Sequence, residues 1–128
     1  MTYSITLPIP SPILSPNARC HWATKSRATH KARTDAHNAA IIALGTPRPM
    51  LSHSITAQVT VYTPDKRRRD KDNYLARCKA YFDGFTDAHL WTDDSRVTHL
   101  PLEFVKDAAH PRVVITVTGY QDSTLAGS

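Results

Sequence analysis

Tyr3, Ile5 and Leu7 alternate with polar residues, and this two-residue period predicts a first strand over Tyr3–Leu7 with one buried face. Pro8, Pro10, Pro12 and Pro16 come next and force an extended, irregular stretch, since each fixes φ and removes a backbone donor. Over Ser26–Leu44 the period changes. Ala28, Ala32, Ala36, Ala39 and Ala43 recur every three or four residues, which predicts a helix, with Ile41 and Ile42 adding bulk near its end. Gly45 supplies a C-terminal stop, with Pro47 and Pro49 just beyond. Ile55, Ala57, Val59 and Val61 restore the two-residue period and predict a strand over Ile55–Thr63, ended by Pro64. Leu75, Cys78, Phe82 and Phe85 lie 3, 4 and 3 residues apart, one buried stripe of a helix over Asp72–Phe85. Gly84 weakens the last turn of that helix by up to about 1 kcal/mol. A third strand is predicted over Val97–Lys106, with Leu100, Leu102 and Phe104 on one face and Pro101 marking an edge position. Val113, Ile115 and Val117 define a fourth over Arg112–Thr118, joined to the third as a hairpin through His110-Pro111. The order β-α-β-α-β-β predicts an α/β (α+β) fold, with a small mixed sheet of about four strands and two main helices packed on it.

Length and composition agree with a single domain over residues 1–120, with a small, polar tail at 121–128 that is expected to fray. The chain has 128 residues, 41% hydrophobic and 21% charged, enough for one modest core. No apolar run approaches the roughly 20 residues of a membrane span. The start of the chain lacks the basic and apolar regions of a signal peptide, so a cytoplasmic protein without a membrane partner is expected. Cys20 and Cys78 are too few for a zinc ribbon or a disulfide framework.

Charge sharpens the picture. The net charge is +5, and a basic small domain suits a polyanionic partner such as nucleic acid. Lys66, Arg67, Arg68 and Arg69 are contiguous, and Lys25, Arg27, Lys31 and Arg33 cluster in the first helix. Acidic residues concentrate in the second half, and Asp70 and Asp72 directly succeed the basic run. In an extended segment residues i and i+2 point the same way, so these two carboxylates repel unless a cation lies between them. Mg²⁺ is the natural candidate, with Mn²⁺ as a substitute, because hard cations prefer oxygen ligands. Asp93 and Asp94 could bring a third carboxylate, and such a cluster suits metal-assisted phosphodiester hydrolysis. Lys79 is seven residues beyond Asp72, about two helical turns, which puts both on one face. A long lysine there could neutralise a phosphate or transition-state charge.

Plainer readings exist for each of these residues. An Asp at a helix start is often only a cap or a partner of the helix dipole. The basic run and Lys79 could be solvated surface. If the run is functional, it holds backbone phosphates and does not read bases. Alternation then sets Arg67 and Arg69 apart from Lys66 and Arg68, and favours the first pair. His30 and His37 carry no zinc pattern. Cys78 reads as core, and Leu90 and Trp91 read as buried anchors of the acidic loop. Tyr74 and Tyr81, seven apart, read as interface or DNA-stacking residues.

These blocks, in this order, resemble the RusA family of Holliday-junction resolvases. The resemblance begins with TYSITLPIP, passes through SPNARCHW, and is strongest in DKRRRDKDN, KAYFDGF and LWTDDS. It implies a small α/β homodimer that resolves four-way DNA junctions in recombination and repair, by Mg²⁺-dependent paired symmetric nicks and with no organic cofactor. The family's metal-binding acids would fall on Asp70, Asp72 and Asp94, with Asp93 beside the last, and its catalytic lysine on Lys79. DNA contacts would fall on Lys66, Arg67, Arg68, Arg69, Lys25, Arg27 and Asn17, with His21 and Trp22 near them. A bacterial or phage-infected cell, and association with its nucleoid, are implied by the same resemblance.

One departure stands out. The best-known form places its lysine three residues after the Asn, where this chain has Ala76, whereas Lys79 is six residues after Asn73. Three extra helical residues move a side chain about 4.5 Å along the axis while keeping it roughly on the same face. Two other functions remain open at this point. One is a non-catalytic module that binds branched DNA, and the other is a metal-dependent nuclease for other branched DNA or RNA.

Overall fold

The strongest alternation in the chain builds the centre of the sheet. In a computed structural model describing residues 1–45 and 49–121, strand β1 spans Thr2–Leu7, β2 Leu51–Thr63 and β5 Arg112–Gln121. Ile5, Leu7, Ala57, Val59, Val61, Val113, Ile115 and Val117 are buried on one face, as their period requires. Pro47 and the tail from Asp122 onward lie outside the described residues. β2 begins four residues before the clean alternation. Ser54 sits at φ 54° and the β2–β5 register shifts on either side of His53. That irregular entry hides the first turn of the strand from a two-residue period.

Helix α1 spans Trp22–Leu44, four residues longer at its start than the alanine pattern suggests. His21 is the reason: its Nδ1 accepts from the Ala23 amide at 3.1 Å and caps the first turn. Gly45, at φ 79°, ends the helix as predicted. Ala32, Ala36 and Ala40 form its buried stripe.

The second predicted helix is two helices. α2 covers Lys71–Arg77 and α3 Lys79–Asp87, with Cys78 between them at φ −84°, ψ −4°. This turn tilts the ladder at Cys78, whose amide approaches the carbonyls of both Tyr74 and Leu75 at 3.1 Å. Burial still follows most of the predicted stripe, since Cys78, Phe82 and Phe85 are buried, while Leu75 is only half-buried. Gly84 has a structural purpose that propensity misses. A Cβ there would lie 2.7 Å from Ala36 Cβ and closer still to the Arg33 carbonyl oxygen, so α1 and α3 touch backbone to backbone.

The third predicted strand is also divided, into β3 at Thr98–His99 and β4 at Glu103–Lys106. Pro101 has no amide to give, and the ladder lapses around it. The Leu100 amide still reaches the Ala57 carbonyl at 2.9 Å. Both short strands run parallel to β2 at the sheet edge, as the proline indicated. The sheet order is β1-β5-β2-β3, with β4 also beside β2. The β4–β5 hairpin is therefore a misreading: β5 pairs with β1 and β2, and β2 separates it from β4. The connection crosses the end of β2 instead. Arg112 fastens it by donating to Asp107 and to the His110 carbonyl, each at 2.9 Å.

The helices carry β2 into its parallel partners on the buried side of the sheet, the usual crossover arrangement. Tyr81 also departs from its reading as an interface or stacking residue. It is buried, and its hydroxyl donates to the Pro8 carbonyl at 2.5 Å. The Arg77 guanidinium is likewise buried and donates to the Pro10 carbonyl. Two side chains of the helical layer thus serve carbonyls of the proline-rich segment, which has no ladder of its own.

Candidate active site

The residues leaving β2 carry most of the charge near the site. Residues 64–70 form neither helix nor strand, and the basic run winds around Asp65. Arg67 donates its amide to Asp65 Oδ1 at 2.9 Å and its guanidinium to Oδ2 at 3.1 Å. Arg69 lies 3.0 Å from Oδ1 and also donates to the Asp65 and Arg67 carbonyls. These bonds, led by that of the Arg67 guanidinium, hold the Asp65 carboxyl far below the usual carboxylate range. Arg67 and Arg69, favoured by alternation as the phosphate-facing pair, both turn to this acid, and the irregular backbone here does not keep a strand's two faces. Arg69 is folded in, with 13% of its side chain exposed, while Lys66, Arg67 and Arg68 are exposed.

Asp70 is the N-cap of α2, its Oδ1 accepting from the Asn73 amide at 3.2 Å. Asp72 is in the first turn and exposed. Asn73 Nδ2 donates to Ser15 Oγ at 2.6 Å, which pins the start of α2 to the segment after β1. The same hydroxyl accepts from the Asn17 amide at 3.3 Å, so the SPN block sits beside the acidic one. Tyr74 packs edge-on to Phe104, and the Arg77 guanidinium lies 4.3 Å from its ring centre.

Lys79 opens α3 and lines a cleft of about 400 Å³ together with Asp72, Leu75, Ala76, Phe82 and His99. The shared face predicted for Asp72 and Lys79 exists, although no continuous helix carries it. The three extra residues coincide with the break. Despite the break at Cys78, Lys79 still lines one cleft with Asp72. Its side chain is 74% exposed, with Nζ 3.8 Å from Asp83 Oδ1. Behind it, Lys25 of α1 joins Lys79, Arg77 and Asp83 around a smaller pocket. Arg27 is exposed on the same helix and reaches Thr24.

The second acidic block is anchored as its apolar neighbours predict. Leu90 and Trp91 are buried. Trp91 Nε1 donates to Thr86 Oγ1 at 2.8 Å, and the Leu51 amide reaches the Leu90 carbonyl at 2.7 Å. Asp93 accepts from the Ser95 amide at 2.9 Å and starts the 3-10 turn Asp94–Arg96. The Asp94 side chain lies outside the described part of the structure.

Among the described residues no three acidic, His or Cys side chains converge as a metal cluster. Charge pairing nevertheless distinguishes several of the acids. Asp35, Asp65, Asp83, Asp87 and Asp107 each face a Lys or Arg within 4.0 Å. Among the described residues, Asp70 and Asp72 have no such partner, and neither does Glu103, which is exposed on edge strand β4, away from the basic run along the chain. Two adjacent carboxylates left without a protein cation, offering only oxygen, are a donor set that fits a hard divalent ion. His99 is the site neighbour that sequence reasoning missed. A continuous strand over Val97–Lys106 puts it on the face opposite Leu100, and only the division at Pro101 brings it to the cleft. Arg77 had a signal, since it falls within the three extra residues.

A family profile described as Endodeoxyribonuclease RusA matches residues 10–118. The chain belongs to the RusA family. The match takes in every element around the cleft and omits only β1 among the regular elements. Crossover junction endodeoxyribonuclease RusA of Escherichia coli K12 is 32% identical over 120 residues, which is 91% of this chain and 94% of that protein. Enterobacteria phage 82 has a RusA of the same name with the same identity and coverage. An uncharacterised protein of Xylella fastidiosa is 41% identical over 122 residues, covering 91% of this chain and 76% of its own length. RusA relatives thus occur in bacteria and in a phage. No helix among the described residues of this member is long and apolar enough to cross a membrane.

Proposed function

We propose that this chain is a structure-selective endonuclease that resolves four-way DNA junctions by paired, symmetric nicks, with residues 1–120 as its single nuclease domain. The observation that carries the reading is the pair Asp70 and Asp72. They have no cationic partner among the described residues, and they stand between a basic run and a cleft that Asp72 shares with Lys79. The names of the Escherichia coli and phage relatives support the junction as substrate.

Asp70, Asp72 and Asp94, with Asp93 beside the last, would hold a divalent cation, Mg²⁺ or Mn²⁺ in its place. When bound, it activates water and offsets charge on the phosphate oxygens. The chain does the rest. The Lys79 ammonium is exposed enough to leave Asp83 and donate to a phosphate oxygen, where it is worth most as charge builds. Lys66, Arg67, Arg68 and Arg69, with Lys25 and Arg27, hold backbone phosphates of the arms, and Asn17 supports them beside Ser15. Selectivity comes from branch shape more than from base sequence. One chain supplies one acidic site, so two symmetric cuts call for a two-fold homodimer. The DNA of a bacterial or phage-infected cytoplasm is its field of action.

The test uses a labelled four-way junction and a matched duplex, with Mg²⁺ or with chelator, beside Asp72→Asn. Paired nicks in the junction alone are expected, lost with chelator and in the variant, while the variant still binds. Junction binding with no cutting under any divalent metal would replace the reading with a non-catalytic module. Equal cutting of flaps, forks or RNA would replace it with a broader nuclease.

A further inference from the structure

We propose that the cleft beside Asp72 receives an unstacked nucleobase of the DNA junction, next to the phosphate that is cut. This deepens the resolvase reading and rests on it. The cleft is larger and more apolar than phosphate chemistry needs. Its volume is about 400 Å³, within the roughly 300–1,000 Å³ of pockets that enclose drug-sized ligands, and a nucleobase is smaller than those. Leu75, Ala76 and Phe82 supply apolar wall, while Asp72, Lys79 and His99 supply the polar groups. A sugar-phosphate backbone has little to gain from an apolar wall. A base has two apolar faces and a polar edge, which matches this division.

The wall is also built to be stiff. Phe82 is buried, and its ring meets that of His99 at 4.7 Å and an interplanar angle of 89°. It is held from the other side by Phe85 and Trp91, with ring centres 5.9 and 6.4 Å away. A His ring is one of the surfaces on which unpaired bases stack, and the exposed His99 presents one, backed by the buried Phe82.

Charge and position select the occupant. Lys79 lines the cleft, and the exposed Lys66, Arg67 and Arg68 belong to the segment that leads directly into α2 and Asp72, so a polyanion is favoured over an apolar peptide. Asp72 and Lys79 belong to both the cleft and the proposed cutting site, so a phosphate held there brings its own nucleotide to the mouth. A base at a branch point has lost a stacking neighbour and is cheaper to turn out than one inside a duplex. His99 is then the polar group left to bond the base edge, since the other two are committed to cation and phosphate.

The experiment places 2-aminopurine at each nucleotide flanking the cut, one at a time, in a junction bound by the full chain with chelator present. This base brightens when unstacked. A several-fold rise is expected at one flanking position, with none in a matched duplex. Ala76→Phe, which fills the cleft, should abolish the rise and slow cutting in Mg²⁺. Its junction affinity should stay within about threefold, because phosphate contacts dominate binding. Ala76→Leu carries the same test with less added volume if the larger residue impairs folding. A junction that is bound and cut with no flanking position brightening overturns the base proposal and leaves the resolvase reading intact. So does brightening that survives in a filled but folded variant. A chain that neither prefers nor cuts junctions overturns both.

Discussion

Asp70 is both a helix cap and a proposed cation ligand, and the two roles can be pulled apart by one atom. Asp70→Asn keeps a side-chain carbonyl where Oδ1 now accepts from the Asn73 amide at 3.2 Å. Asn caps helices as well as Asp does, so the hydrogen bond is conserved. The variant loses a negative charge near the positive end of α2, a few tenths of a kcal/mol at an exposed position. Removing its repulsion with Asp72 offsets part of that. The net change in stability should stay below about 0.5 kcal/mol. Asp70→Ala removes the acceptor altogether and should cost about 1 kcal/mol, or roughly 4 °C in melting temperature for a domain of this size.

Activity should divide the variants differently. Both remove the carboxylate, so junction cutting should fall at least about 100-fold in each, the scale of losing one preorganised electrostatic group. The assay pairs thermal melts in chelator with single-turnover cutting of a junction in Mg²⁺. Cutting by Asp70→Asn at the wild-type rate would refute the ligand role and leave Asp70 a cap. A melting point as low as that of Asp70→Ala would refute the capping argument.

The packing and the charges set three further outcomes. Gly84→Ala gains about 1 kcal/mol in helix propensity, but its Cβ would overlap the α1 backbone at Arg33, and overpacking costs about 1–3 kcal/mol or more. It should lower the melting temperature, and a rise would show that α1 and α3 are not held this closely. Arg33 bridges α1 to α3 through both oxygens of Asp87, and its hydrogen bond lowers the Asp87 pKa. A lowered carboxylate pKa stabilises the fold above the unfolded value, about 3.9, and that contribution is lost as pH falls through the folded value. Because the pair is more than a third exposed, it is worth at most about 1 kcal/mol. Asp87→Asn should therefore melt lower than wild type at pH 7 and converge with it in acid; a gap that persists in acid would refute the linkage. Finally, burial pushes the Cys78 thiol up to about 12, while Cys20 is exposed. A thiol reagent at mild alkaline pH should label Cys20 rapidly and Cys78 only on unfolding, and equal rates would contradict the packing around the α2–α3 break.

The sequence by itself determined the buried faces of the central strands and of the helices, but not of the edge strands. Leu100 was expected inside there and is 40% exposed, because the register slips by one residue between β3 and β4. Whether a side chain avoids water is its own property, and a period of two or of three to four residues writes that preference directly into the chain. Hence the buried rows of β1, β2 and β5, the stripe through Cys78, Phe82 and Phe85, and the burial of Leu90 and Trp91 were all legible. So was the site's acidic and basic chemistry, because Asp70, Asp72 and the run before them are neighbours along the chain. Only the tertiary structure decided who pairs with whom. Sequence order placed β4 beside β5, yet β2 lies between them, since a turn signal gives strand direction and not strand neighbour. Periodicity reads straight through the break at Cys78, where the stripe continues although the helix does not. One ion pair between distant segments is equally invisible to it. Arg33 and Asp87 are 54 positions apart, so the sequence shows neither which acids are neutralised nor that Asp70 and Asp72 are among those that are not. His99 reaches the cleft for the same reason, through a fold of the edge strand that its own neighbours do not announce.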